Sequence, residues 1–335
     1  MFRFLATRIL SAIPLLLVLS IVTFGIIKAQ PGDYGDYLKS MLMSQGNVSD
    51  ADAQVQADAY RAAHGLNAPL PMQYINWLTG IVTRFDFGNS LYYNKPVGDV
   101  VAERLPRTLL LALTCHILAS VIGITLGIVA ATRQYSWVDT LFGVISFLGM
   151  TIPRFLLAII IIYVLAFKLN VQEIGSFFSA KYGGAPWSWD KFVDLLKHVW
   201  PVIFIATFGG LAYNMRVMRA NLLDVLNSQY VETARAKGLP ESAVILKHAV
   251  PNALHPLIAY QGVVLPYMLT GEVEVAIVFG LATVGPAIVG SLGVGDVWVT
   301  ATFMLVLATT LIVGNIISDM LLALLDPRVR LSGNA

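Results

Sequence analysis

Long apolar stretches separated by polar segments set the rhythm of this chain. Five runs lack Asp, Glu, Lys and Arg, at 9–27, 108–132, 198–215, 249–271 and 297–318, and a sixth, 140–167, is interrupted only by Arg154. Each is close to the ~20 residues that an α-helix needs to cross hydrocarbon. The runs predict spans over roughly 9–28, 107–131, 138–167, 198–219, 255–281 and 299–325. Residues 275–295 are also uncharged, so 249–295 has the length for two crossings. Gly280, Gly285, Gly290, Gly293, Gly295 and Pro286 oppose a regular helix there. An irregular or re-entrant segment packed against protein is the preferred reading, because backbone at that depth must be satisfied internally.

Between the first two spans, 29–106 is of mixed polarity and reads as an external region, with turn signals at Pro31-Gly32, Pro69 and Pro71. Its aromatics Tyr74, Trp77, Phe85, Phe87, Tyr92 and Tyr93 suit a membrane interface, Trp77 above all. Segment 168–199, with Trp187 and Trp189, reads as a second external loop. The remaining parts are the N-terminus and first span 1–28, a five-helix core 107–325 that includes a cytoplasmic loop 220–254, and a cytoplasmic tail 326–335.

Composition agrees with a membrane protein. Of 335 residues 57% are hydrophobic and 13% charged, against about 25% charged in soluble domains. A net charge of +2 gives no reason to invoke nucleic acid, and the single Cys115 excludes a disulfide framework. Arg3 and Arg8 before an apolar run resemble a signal peptide, but the run is 19 residues long with no small-x-small site before Lys28, so it is read as an uncleaved span. Basic residues stay in the cytoplasm. Arg3, Arg8, Arg328, Arg330 and the five basic residues of 216–248 are all inside if there are six spans with both termini cytoplasmic. Segment 168–199 dissents, with Lys168, Lys181, Lys191 and Lys197 nearly balanced by Glu173, Asp190 and Asp194.

The most informative polar insert is 228–252. Tyr230–Lys237 contains good helix formers, Gly238 is a natural stop, and Pro240 suits the first turn of a second short helix reaching about Ala249. Two short helices meeting at a glycine form a compact bracket. Ala234 and Gly238, four apart, would share one face and let a partner approach closely, and Glu232 with Arg235 would form a weak helix pair.

These residues resemble a known family. Glu232-Thr-Ala234, three residues, then Gly238 resembles the "EAA" signature of permease subunits of binding-protein-dependent ABC transporters. Ala234-Arg-Ala-Lys-Gly-Leu239, His248-Ala and Asn252-Ala-Leu are similar to the dipeptide/oligopeptide/nickel class. So are Glu103-Arg-Leu-Pro106, His64-Gly-Leu66, Pro69-Leu-Pro71, Gln73-Tyr74, and Asn315, Asp319 and Asp326-Pro-Arg328 near the end. The resemblance implies an all-α membrane protein with the six-transmembrane-helix fold of a type I ABC importer permease, in a bacterial inner membrane. It implies that Glu232, Ala234, Gly238 and Leu239 couple to ATPase subunits. It further implies a homologous second permease, two ATP-binding subunits that bind ATP and Mg, and a periplasmic solute-binding protein. This chain itself would bind no cofactor and hydrolyse no ATP. Peptides are the commonest cargo of the class; nickel, oligosaccharides and opine-like compounds also occur. Thr233 replaces the second Ala of the signature, Pro251 replaces a basic or polar residue, and the acidic-Thr-x-Phe and Pro-Gly-x-Gly runs after span five are absent.

Charge inside the spans is the other candidate chemistry. An Arg at helix centre costs about 2.5–3.5 kcal/mol on insertion scales, so Arg154 is expected to face a cavity or an acidic partner. Glu272 and Glu274 are candidates, two apart and therefore on different sides of a helix. A pore or gate contact and a structural ion pair both fit. Asn315 and Asp319 share a face suited to helix–helix hydrogen bonding. No Gly-Lys dipeptide exists, so the chain carries no phosphate-binding loop of that type. His64, His116, His198, His248 and His255 lack zinc spacing. The alternative to an ABC permease is an ion-coupled secondary transporter using Arg154 and Glu272 or Glu274.

Overall fold

The computed structural model describes residues 2–46, 48–267 and 273–325, and helices dominate them. The chain divides into two compact units, Met1–Arg107 with Thr283–Val313, and Thr108–Ala282 with Gly314–Ala335.

Helix α1 (Phe2–Lys28) takes up the first apolar run. The region after it folds into three helices and a hairpin. Helix α2 (Tyr34–Ser44) opens with a reciprocal cap, in which Asp33 accepts from the Asp36 N–H and Asp36 accepts from the Asp33 N–H. Helix α3 (Asp50–Ala63) is capped by Ser49. Its Arg61 reaches back to that cap, with Nη2 2.9 Å from Asp33 and 2.7 Å from Asp36. Burial would raise the Asp33 carboxyl, but hydrogen bonds from Arg61 and the Asp36 N–H hold it below its ordinary range. Helix α4 (Leu70–Arg84) ends at Phe85 in the left-handed region, φ 52°. Strands β1 (Asn89–Ser90) and β2 (Lys95–Pro96) pair antiparallel, with Asn89 opposite Pro96.

Helix α5 (Val97–Thr132) begins ten residues before the predicted second span. Helices α6 (Trp137–Thr151) and α7 (Arg154–Tyr163) follow, α7 running on through a π-helical turn, Val164–Lys168. After an irregular stretch comes α8 (Trp189–Leu226), so the predicted loop 168–199 ends early and its last third is helical. Then come α9 (Gln229–Ala236), α10 (Glu241–Ala243), a π-helical turn Val244–Ala249 and α11 (Val250–Tyr267). Helices α12 (Val273–Val278), α13 (Val284–Gly293) and α14 (Val297–Leu325) complete the chain.

Among the described residues, four stretches are long and apolar enough to cross a membrane: Arg8–Lys28, Val97–Thr132, Trp189–Leu226 and Val297–Ile317. The predicted span 138–167 is not one straight helix. It is α6 and α7 bent by 98°, a fifth crossing only if the pair is one span. The bend falls at Pro153, which cannot donate the hydrogen bond that would continue the helix. The predicted span 255–281 appears as α11 and α12, and Glu272 between them lies outside the described residues. The glycine-rich tract 275–295 holds no regular long helix. It holds α12, a turn at Gly280 (φ 60°), the short α13, and a turn at Gly295 (φ 71°).

In the first unit, Trp77 is only 5% exposed and packs inside, stacked on Phe24 at 5.8 Å. It is therefore not the interface anchor its surroundings in sequence suggested. Val97, Val100, Val284, Ala287, Val299 and Phe303 form a second core there. In the second unit, glycines let helices touch backbone to backbone. A Cβ at Gly123 would lie 2.6 Å from the Leu211 carbonyl, and one at Gly127 2.7 Å from that of Met215, so α5 and α8 meet along this Gly-x-x-x-Gly edge. Gly149 of α6 meets Ala212 of α8 in the same way, 2.7 Å from its Cβ.

Candidate functional site

Two places in the second unit gather the chemistry: the polar bracket after α8, and a cavity beside the α6–α7 bend.

The bracket has an apolar inner side. Val231 and Ala234 of α9, Val244 and Ala249 of the π-helical turn and Val250 of α11 bury against Met218, Leu222 and Leu257. Its outer side is polar and open. Glu232, Thr233, Arg235, Lys237, Gly238 and Leu239 are all exposed. Gly238 ends α9 with φ +78°, its N–H bonded to the Arg235 carbonyl at 2.9 Å, and a Cβ there would meet nothing within 4 Å. Pro240 then caps α10.

Three expectations change in detail. Ala234 does not share an outward face with Gly238, because α9 stops before the glycine and Ala234 turns into the core, 6% exposed. Arg235 makes its ion pair with Glu241, Nη2 to Oε1 2.8 Å, across the turn rather than with Glu232 on its own helix. That bond draws the Glu241 carboxyl below its ordinary range. The second arm does not end near Ala249 but feeds through the π-helical turn into α11.

The cavity has a volume of about 720 Å³ and includes Thr151, Pro153, Arg154, Gly209, Tyr213 and Tyr260 in its lining. Arg154 is the first residue of α7, and no side chain caps that helix start. Its guanidinium passes over Gly209, where a Cβ would sit 3.3 Å from Nε. The Tyr213 and Tyr260 rings face each other at 4.5 Å. Glu274 is exposed at the start of α12 and is not part of this lining. Arg154 thus lines a cavity, while the tyrosines and Asn214 beside it lie in runs that read simply as apolar spans.

A third arrangement escaped the sequence reading. Arg219 of α8 clasps Asp139 of α6 through two bonds, Nε to Oδ1 at 2.6 Å and Nη2 to Oδ2 at 2.8 Å. Asp139 also accepts from the Tyr135 N–H at 3.0 Å, and its own N–H bonds to Ser136 at 3.3 Å. The Ser136-x-x-Asp139 spacing is a helix-start signal that would have marked one half of the clasp.

A family profile described as "Binding-protein-dependent transport system inner membrane component" matches residues 123–331, and its N-terminal companion matches residues 1–112. The chain is 36% identical to the oligopeptide transport system permease protein AppB of Bacillus subtilis (strain 168), over 98% of this chain and 99% of that one. It is 33% identical to a protein of Brucella suis biovar 1 named as a peptide permease, over 99% of this chain and the whole of the relative.

Proposed function

The chain belongs to the family of inner-membrane components of binding-protein-dependent transport systems, and we propose that it is one of two permease subunits of an ATP-driven peptide importer. Such a protein is a multi-pass inner-membrane transport component. The peptide cargo rests on relatives named for oligopeptide and peptide transport over their full length. In the proposed assembly a homologous permease completes the pathway, two ATP-binding subunits hold ATP and Mg, and a periplasmic solute-binding protein delivers cargo. The proposed arrangement takes six crossings with both termini in the cytoplasm, which would put the bracket 228–252 on the ATPase side.

One observation carries the coupling role. The bracket is firmly seated on its inner side by Val231, Ala234 and Val244 and left open on its outer side around Glu232, Gly238 and Leu239. A rigid base with a free outer face transmits a push, and its second arm is continuous with α11. Ala234 then acts from within, fixing α9 to the base, while Glu232, Gly238 and Leu239 meet the partner.

The test is Gly238→Trp in the assembled transporter. Nothing lies within 4 Å of a Cβ at this position, so a side chain there starts into open space, and its cost within the chain is the strain of φ +78°. The variant is expected to insert and to retain ATP hydrolysis while losing vanadate-sensitive uptake by at least ten-fold. Gly238→Asn, which tolerates positive φ, is expected to keep most uptake. Normal uptake by the Trp variant overturns the coupling role. Uptake that needs no nucleotide and collapses with the ion gradient overturns the importer reading.

A further inference from the structure

Helix α4 has three sides, and one of them is apolar and uncovered. Gln73, Trp77 and Gly80 mark the buried side. Asn76 and Thr83, seven apart, form a narrow polar strip in the open. Met72, Ile75, Thr79 and Val82 fall at i, i+3, i+7 and i+10 and cover the third side. Its apolar residues Met72, Ile75 and Val82 are 52%, 55% and 71% exposed. No Asp, Glu, Lys or Arg occurs from Leu70 to Thr83. Helix α3 of the same region differs, because Asp50, Asp52 and Asp58 are exposed on it. Soluble domains carry about 25% charged residues, so α3 has a surface for water and α4 does not.

What covers the apolar side follows from where α4 is attached. Its buried side packs on α1 and α14, with Phe24, Ile27, Trp77, Val297 and Ala301 in one cluster. Both of those helices contain stretches long and apolar enough to cross a membrane. The Tyr74 and Ser20 hydroxyls are 2.8 Å apart, and Trp77 stacks on Phe24 at 5.8 Å. Ser20 lies eight residues before Lys28, the end of α1, which is about 12 Å at the helical rise. Leu305, packed against the same cluster, lies eight residues into α14. Helix α4 therefore sits beside the last turns of α1 and the first turns of α14, within the depth of their apolar runs. Those turns of α1 also leave Ile21, Val22 and Ile26 exposed. At that depth, the surroundings of an open apolar surface are acyl chains.

We propose that α4 is a membrane-interface helix, bedded through Met72, Ile75 and Val82 in the lipid leaflet at the Lys28 end of α1, with Asn76 and Thr83 toward headgroups and water. Interfacial helices bury their apolar side about 5–10 Å into the headgroup and acyl boundary, a depth comparable with that of the Tyr74 and Trp77 contacts. The interface expected at Trp77 is thus met by the opposite side of the same helix. Region 29–106 is then held to the bilayer by α4 as well as by α1, whatever cargo the chain transports.

The test uses the whole transporter, with its ATP-binding subunits and partner permease, in nanodiscs of phosphatidylethanolamine and phosphatidylglycerol. Ile75→Cys, Val82→Cys and Asn76→Cys each carry a bimane fluorophore, with Val22→Cys of α1 and Asp58→Cys of α3 as references for lipid and water. Transporter without an added cysteine gives the background, and the chain's own Cys115 is buried. Quenching by phosphatidylcholine bearing a nitroxide near the top of its acyl chain is compared with quenching by aqueous iodide. Labels at Ile75 and Val82 are expected to be quenched by the spin-labelled lipid at least three-fold more than the label at Asp58, and by iodide at least three-fold less. The label at Asn76 is expected to be more open to iodide than either. Copurification of the ATP-binding subunits establishes that each variant is assembled, and if Ile75→Cys fails to assemble, Val82→Cys decides. Iodide quenching at Ile75 and Val82 equal to that at Asp58 would place this side in water and overturn the proposal. Protection from both quenchers would show that another subunit covers the side, which overturns it as well. So would an Asn76 label as closed to iodide as that at Ile75, because the helix would then have no side toward water. A label at Val22 that the lipid does not quench would remove the lipid reference for depth, and the proposal with it.

Discussion

Two turns in this chain are built from the same part and serve opposite ends. Gly238 in the bracket and Gly295 before α14 both sit at positive φ, +78° and +71°. Around Gly238 there is open space, whereas a Cβ at Gly295 would press within 2.9 Å of the Asp33 backbone. The neighbours differ as sharply. Beside Gly295, the fully buried Asp296 accepts from the Ser90 hydroxyl at 2.7 Å and from the N–H groups of Leu91 at 2.9 Å and Tyr92 at 3.0 Å, while also capping α14. Burial pushes that carboxyl above its ordinary range although all these donors oppose it. Beside Gly238, the polar groups stand exposed and the one ion pair, Arg235 with Glu241, is in solvent. One turn satisfies its polar groups within the chain; the other leaves them for something else to meet. Within this single protein, that contrast separates a structural joint from a docking face more clearly than either turn does alone.

The comparison breaks first at Asp296. Asp296→Leu removes the acceptor for three donors of the hairpin and a helix cap, and is expected to cost about 4 kcal/mol, the range for breaking a buried charged network. A thermal-unfolding scan of the purified complex checks this. A variant as stable as wild type would mean that the buried carboxylate holds nothing together. Next, the two glycines are set against each other. Gly295→Ala combines left-handed strain with overlap on Asp33 and is expected to cost about 3 kcal/mol. Gly238→Ala carries the strain alone, about 1 kcal/mol. Equal losses in the same assay would erase the distinction between a crowded turn and an open one.

How far each turn could be read from sequence follows from the same physics. The bracket is a local feature: helix formers, Gly238 and Pro240 stand in consecutive positions, so composition and spacing reveal it. The joint at Asp296 is not local, since its partner Ser90 is 206 positions away and nothing near either residue announces the other. The same holds for the cavity. Arg154 stood out because a charge interrupts an apolar run, but Tyr213, Asn214 and Tyr260 are neutral residues inside runs that read simply as apolar spans. The bend has a local mark in Pro153, but the packing of Gly149 on Ala212 of α8 that accompanies it joins residues far apart in sequence. Ala234 was read outward because small residues suit both a docking face and a tight core, and its burial against the base decided between them.

The smallest effect sharpens the comparison most. Glu241→Gln removes the charge from the Arg235 pair, whose side chains are 40% and 56% exposed. Exposed pairs contribute little because water screens them and two long side chains must be ordered to form them. The unfolding temperature of the assembled complex is therefore expected to stay within measurement error, and uptake to fall by less than two-fold. The hydrophobic seat under the bracket, Val231 with Val244 and Leu222, is unchanged by this substitution. A loss of stability approaching that of Asp296→Leu would show that the bracket is held by its own polar clasp. Its charged outer side would then be committed to the chain itself, with no polar face left to offer a partner.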